Sequence, residues 1–137
     1  VEREIISPLE AETVDLEAIQ IFINSALGQR IKKASHVYRE APFNLLCPAN
    51  EVLNGENTSY ETLLVQGVID LYFEENDGLI LVDYKTDRLT HFNLEQRLEH
   101  YRKQLYWYRR ALEQIQKKPV REMYLYFFDN RELLQLQ

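Results

Sequence analysis

Asp70, Asp83 and Lys85 are the residues whose types and spacing could do chemistry. Side chains alternate along a strand, so Asp83 and Lys85, two apart, point the same way. All three lie in β-rich runs, residues 63–73 and 79–85, on either side of a turn-forming cluster at 74–78. Asn76-Asp77-Gly78 is a hairpin signal, with the glycine expected to supply the positive φ. A two-residue loop at Asn76-Asp77 pairs Asp70 with Asp83. A two-residue loop at Asp77-Gly78 pairs Asp70 with Lys85 and leaves Asp83 on the diagonal. Either register gathers the three charges on one face, and a three-residue loop would not.

Such an arrangement is costly, because like charges opposed across a ladder repel. The neighbours Val68, Ile69, Leu71, Leu81 and Val82 imply well-buried strands. A buried carboxylate needs a partner or a metal. Two readings stand on the residues alone. The oxygens suit a hard divalent cation with a lysine beside it. Equally, Lys85 could pair with one aspartate across the hairpin as a structural ion pair.

The elements that must hold these residues follow from pattern. Ser7-Pro8-Leu9-Glu10 is a capping box with proline at the first helical position. Leu16, Ile19, Ile23 and Ala26 recur at helical spacing, and Gly28 supplies a stop, giving a core-packing helix over 15–27. Residues 33–40 alternate as a strand. Ala41-Pro42 should break it or place it at an edge, with a second short strand at 43–47. Residues 48–60 lack an apolar period and are expected to be loop; Asn57-Thr58-Ser59 spells a glycosylation sequon there, with no role assigned. After a turn at 87–90, Asn93 can cap a long helix over 94–117, which Pro119 ends. A final strand spans 120–128. Met123, Leu125 and Phe127 form one face and Tyr124, Tyr126 and Phe128 the other, so both faces should be covered. Residues 133–137 are a tail or a short strand.

The 137 residues suffice for one domain with a real core, and 45% hydrophobic content is that of a globular chain. The single Cys47 excludes both a disulfide framework and a four-thiolate cluster within one chain. No apolar run approaches the ~18–20 residues of a membrane span. No signal peptide is visible, and the missing initiator methionine suggests a piece of something longer. His36, His91 and His100 stand singly and receive no role. No phosphate-cradling glycine loop occurs, so any use of ATP lies elsewhere. Net charge is −6, against a free-standing, non-specific nucleic-acid binder. Yet residues 1–87 carry 6 basic and 16 acidic side chains, while residues 88–121 carry 9 basic and 3 acidic. Positive potential therefore begins where the strand bearing Lys85 ends.

Gly67-Val68-Ile69-Asp70, then twelve residues, then Asp83-Tyr84-Lys85-Thr86-Asp87, resembles the PD-(D/E)xK nuclease motif. It is closest to the RecB-type branch, with G-x-x-D and D-Y-K-T signatures. Gln104, Tyr108 and Ala111-Leu112, with Tyr101, are similar to that branch's Q-x-x-x-Y-x-x-A-L helix. Arg39-Glu40-Ala41-Pro42-Phe43 is similar to the E-x-P-F strand of the AddA (RexA) group of helicase–nucleases. By that likeness Glu40 lies near the active site; read by itself, it is an ordinary surface strand residue. The resemblance covers about residues 21–128, and Cys47 alone points away from iron–sulfur relatives.

The resemblance implies an α/β, restriction-endonuclease-like fold with a central mixed sheet flanked by helices. Residues 1–137 would be one nuclease domain, with a helical part at 1–30 and a nuclease core at 33–128. Its activity would be Mg²⁺-dependent exonucleolytic hydrolysis of DNA, with Mn²⁺ able to substitute. It would serve an ATP-dependent helicase–nuclease in double-strand break repair and recombination, with ATP used only in the helicase part. Implied partners are double-stranded DNA ends, single strands and a partner protein of the AddB/RexB type, in the bacterial cytoplasm and away from membranes. By the same likeness Asp70, Asp83 and the Tyr84 backbone carbonyl hold the metal. Lys85 orients the attacking water or offsets charge on the phosphate, and Gln104 and Tyr108 position the strand. The chain lacks the further histidine ligand of an upstream G-x-x-x-H helix, so residues 1–137 alone are expected to bind Mg²⁺ weakly and cleave poorly. The rival reading is a non-catalytic module of nuclease fold, docking a partner through the acidic half or guiding single-stranded DNA.

Overall fold

The computed structural model describes residues 16–49 and 61–137. The capping box at 7–10, the sequon and nearly all of the expected 48–60 loop lie outside these residues. Five strands form one mixed sheet in the order β1 (Val37–Pro48), β2 (Thr62–Glu75), β3 (Gly78–Lys85), β4 (Val120–Phe127) and β5 (Glu132–Leu136). Neighbours are antiparallel except β3 and β4, which run parallel. A parallel pair needs a crossover. The helix that supplies it spans Leu94–Gln116 and follows two shorter helices, α1 (Leu16–Asn24) and α2 (Ala26–Lys33), so it is α3.

Helix α3 covers one face. Its Tyr101, Leu105, Tyr108, Ala111 and Leu112 recur every three or four residues and pack on Phe43, Leu45, Ile69, Leu81, Leu125 and Phe127. Burying a side chain such as Leu105 contributes about 1.5–3 kcal/mol, and Leu105 is completely enclosed. The other face lies under α1 and α2, with Phe22 and Leu27 against Phe73, Ile80, Val82, Tyr126 and Phe128. The Tyr126 hydroxyl donates to the Ala18 carbonyl at 2.6 Å and ties α1 to β4. Both faces of β4 are therefore covered, as the alternation of residues 123–128 implies.

Several expectations need correction. The helix expected over 15–27 is two helices that break at Ser25. Ser25 is extended, and its hydroxyl accepts from the Gly28 N–H at 3.0 Å, so serine starts a new helix. Gly28 therefore lies inside α2 and is no stop; a Cβ there would strike the carbonyl oxygens of Phe22 and Ile23. Lys33 ends α2 and does not open a strand. The two short strands are one strand, β1, at the sheet edge where Pro42 is tolerated. Asn93 precedes α3 in a helical conformation and makes no capping bond, because its side chain is used in the preceding loop. The chain closes with a fifth strand at the end taken for a tail or short strand.

The hairpin turn sets the geometry of the site. Glu75 pairs with Gly78, leaving Asn76-Asp77 as a two-residue loop. The residues at positive φ are Asn76 (52°) and Asp77 (61°), and Gly78 is not among them. That is the primed turn that matches strand twist. A Cβ on Gly78 would instead run into the Arg121 side chain.

Candidate functional site

The same register places Asp70 opposite Asp83, one step past the last ladder pair, Leu71 with Val82. Asp83 and Lys85 follow Leu81 on the α3 face of β3. Strands β1 and β2 both change face here. Tyr38 and Ala41 pack on the α3 side, as do Tyr72 and Ile69, although each pair is three residues apart. Glu40, between them and opposite Asp70, absorbs the change at φ 48°. The β2–β3 ladder stops at this kink. The Tyr84 N–H, left without a ladder partner on β2, donates to Asp70 Oδ2 at 2.8 Å.

Lys85 Nζ lies 2.6 Å from Asp83 Oδ2 and donates to Gln104 Oε1, also at 2.6 Å. Gln104 Nε2 in turn donates to the Tyr108 hydroxyl at 2.9 Å. Beneath the ammonium group lies the ring of Tyr101, 4.2 Å from Nζ, and the Tyr101 hydroxyl donates to Asp87 Oδ1 at 2.6 Å. The structure thus gathers Asp70, Asp83, Lys85, Gln104 and Tyr108 at one place on the α3 side. Glu40 shares the ladder position of Asp70 through its backbone, but it is exposed, and its carboxylate joins none of these hydrogen bonds.

Burial is nearly complete at the centre: the side chains of Asp83 and Lys85 are 4% and 12% exposed. Asp83 Oδ2 touches Lys85 as an ionic contact but takes no aligned hydrogen bond, and it is one of three such buried oxygens among the described residues. Burial pushes the Asp70 carboxyl up to about 7, reinforced by the hydrogen bond and repulsion from Asp83 and only partly offset by the Tyr84 N–H and Lys85. Burial also raises the Tyr101 hydroxyl to about 12, helped by its bond to Asp87. The Tyr108 hydroxyl moves up for the same first reason, with the Asp83 charge adding to it.

Two carboxyls in contact, one short of a hydrogen bond and the other held toward its neutral form, make a donor set that a cation between them would satisfy. All the oxygens are hard ligands, which suits Mg²⁺ or Mn²⁺. Asp70, Asp83 and the Tyr84 carbonyl could hold such an ion. No group of three His, Cys, Asp or Glu side chains could hold a metal among the described residues.

Three residues within the quoted motifs have roles that sequence reasoning did not assign. Gly67 makes room: a Cβ there would lie 2.7 Å from the Phe43 ring and 3.3 Å from that of Tyr108. Phe43 and Tyr108 meet edge to face at 5.4 Å. The glycine of G-x-x-D thus lets Tyr108 approach. Tyr101 was named with the Gln104–Tyr108 motif but given no role, although its place three before Gln104 puts it on the same helix face. Asp87, at the end of D-Y-K-T-D, had no visible partner because Tyr101 is 14 residues away.

Residues 5–135 match the family described as the PD-(D/E)XK nuclease superfamily. The A-type subunit of the ATP-dependent helicase/nuclease of Alkaliphilus oremlandii is 47% identical over 94% of this chain and 11% of its own length. The protein of the same name from Geobacillus thermodenitrificans is 43% identical over all of this chain and 12% of its own. That from Acetivibrio thermocellus is 42% identical over 98% of this chain and 11% of its own. The chain therefore spans about a tenth of the length of these relatives. No helix among the described residues is long and apolar enough to cross a membrane. With a family match that takes in the strand pair, the carboxyl pair and the long helix alike, the chain belongs to the PD-(D/E)XK nuclease superfamily.

Proposed function

We propose that this domain hydrolyses DNA phosphodiester bonds with a divalent cation, Mg²⁺ in the first instance, as the exonuclease part of an ATP-dependent helicase–nuclease. The observation that carries the reading is the Asp70–Asp83 carboxyl pair, buried beside Lys85 on the α3 face. The similar proteins, named as ATP-dependent helicase/nuclease subunits, support the helicase-linked role and a partner subunit; break repair and a partner of the AddB/RexB type follow from the RecB-type resemblance.

Asp70, Asp83 and the Tyr84 carbonyl would hold the cation, which when bound would supply Lewis acidity toward a phosphoryl oxygen and lower the pKa of a bound water. Lys85 offers three N–H donors. Gln104 takes one and Asp83 holds the ammonium as an ion pair, which leaves a donor for the attacking water or a phosphate oxygen, where it offsets developing charge. Gln104 fixes the Lys85 side chain and is itself aimed by Tyr108. The Tyr101 ring stabilises the ammonium from below. Glu40, exposed and opposite Asp70 in the ladder, is assigned to positioning the substrate strand by the family likeness.

The test is cleavage of linear DNA by the full-length natural chain with Mg²⁺, with and without chelator. Wild type degrades the DNA, chelator stops it, and Asp83→Asn or Lys85→Ala abolishes it while unwinding persists. A Lys85→Ala protein that still degrades DNA at the normal rate removes the catalytic assignment and leaves a docking or strand-guiding module. Calorimetry on residues 1–137 is expected to find weak Mg²⁺ binding, since the described residues supply two carboxylates and no third acidic, His or Cys ligand.

A further inference from the structure

We propose that Phe92 stacks on an unpaired base of the DNA strand that enters the cleft, an inference that rests on the nuclease reading above. Phenylalanine is ordinarily a core residue, yet Phe92 is 96% exposed, the highest value among the exposed large hydrophobics of the described residues. It stands on the turn between β3 and α3, and that turn is braced. Asn93 Oδ1 accepts from the Thr90 N–H at 2.7 Å, and Asn93 Nδ2 donates to the Arg88 carbonyl at 3.2 Å. Asn130 clamps the residue between them from both sides, accepting from the Leu89 N–H at 2.9 Å and donating to the Leu89 carbonyl at 3.1 Å. Leu89 itself is buried. The Asn93 side chain thus shapes a loop that holds an aromatic ring out to solvent.

The loop is linked to the site by a chain of contacts. From Lys85 the path runs through the Tyr101 ring to Asp87, then to Arg97, whose Nε lies 3.9 Å from Asp87 Oδ2. The Arg97 N–H donates to the carbonyl of Asn93, the neighbour of Phe92. Arg88, 3.0 Å from Asp129, flanks the other side, and both partners of that pair are more than half exposed. Exposed pairs of this kind are weak, so a phosphate can displace Asp129 from Arg88. A rigid aromatic with cations beside it, at the start of the basic stretch 88–121, matches the base faces and backbone of a single strand. A protein partner would favour a core depleted of charge around such an anchor, and here Arg88 and Arg97 flank it within five residues along the chain.

The experiment measures cleavage by the full-length natural chain against the concentration of a single-stranded oligonucleotide. Phe92→Ala is expected to raise the half-maximal concentration about tenfold, or ~1.4 kcal/mol, with the saturating rate within about twofold. Phe92→Tyr restores affinity and Phe92→Leu does not. On an oligonucleotide with abasic sites the wild type falls to the level of Phe92→Ala, and that variant loses nothing further. Equal concentration curves for wild type and Phe92→Ala, rescue by leucine, or an undiminished penalty on the abasic strand would each overturn the proposal. So would loss of a protein partner with DNA affinity unchanged. Anisotropy of a labelled strand, with the same Phe92 variants on an Asp83→Asn background, reads stacking without cleavage. Normal cleavage by Asp83→Asn would therefore sink the nuclease reading while leaving the stacking result separately decided.

Discussion

Arg30 on one face of the sheet and Lys85 on the other each stand among acids, and the clusters differ in what they leave over. Arg30 reaches from α2 to Glu75 on β2 and to Glu122 on β4, with contacts of 2.6–3.1 Å to both carboxylates. Its planar fork meets each carboxylate with two N–H donors, and Tyr124 closes the set through Glu122. All three charged side chains are about a third exposed, so little desolvation is unmet. Lys85 is a compact charge, nearly buried, with one carboxylate against it and a second behind that one. The first cluster satisfies its charges and joins α2 to the sheet. The second holds two carboxyls out of water with a single ammonium beside them, at a cost in stability.

The sharpest way to break this comparison is to remove each cation. Lys85→Ala should lower DNA cleavage per folded molecule by about 10²–10³-fold or more, far beyond the loss of folded protein that comes from leaving Asp83 without its cation. Loss of cleavage only in proportion to loss of folded protein would make Lys85 a structural residue like Arg30. Gly67→Ala tests the packing beneath the site. Its methyl group meets the Phe43 ring and should cost about 1–3 kcal/mol in a denaturant titration, with cleavage falling as Tyr108 is displaced. A neutral result would mean that the rings have room to yield. Arg30→Met should cost about 1–2 kcal/mol, because two carboxylates lose their shared partner; single-turnover cleavage should not change.

The smallest effect is also the most discriminating, because the clusters respond to pH with opposite sign. Asp70 in the folded chain lies at about 7, above its ordinary 3.8, so the native state binds a proton that the unfolded state has lost. In chelator, the stability from this group is full below the unfolded value and fades as pH rises toward 7. Glu75 and Glu122 are held below their usual 4.5 by hydrogen bonds from Arg30. Their contribution is full above the unfolded value and fades as pH falls through the folded one. Asp70→Asn should flatten the stability profile between about pH 4 and 7, and Glu122→Gln should flatten it only below about 4.5. If either variant flattens the other's window, the two clusters are not independent.

Much of the α3 side was legible in the residues. The period-two alternation at 120–128 placed β4 between two covered faces. The spacing from Leu94 to Ile115 located α3 almost to its ends. Asp83, Lys85, Gln104 and Tyr108 could be set on common faces because strand and helix periods are local properties. The α1–α2 break was not legible. Ser25 competes as a cap in the midst of a helical pattern, and only the packing of Phe22 and Leu27 under the sheet chooses the broken form. The length of β1 was hidden by Pro42, which is harmless at an edge, and edges are a property of the whole sheet.

What the chain determines by itself is the inventory and its spacing: two carboxylates and an ammonium on a hairpin, with an amide and a phenol on the helix that follows. Those are set by covalent order and by the two periods of regular backbone. Only the tertiary structure selected the Asn76-Asp77 turn, ended the β2–β3 ladder one step before Asp70, and slid Tyr101 beneath Lys85. Each of those depends on groups meeting in the same small volume, where burial turns a pair of neighbouring carboxyls from a trivial feature into a costly one.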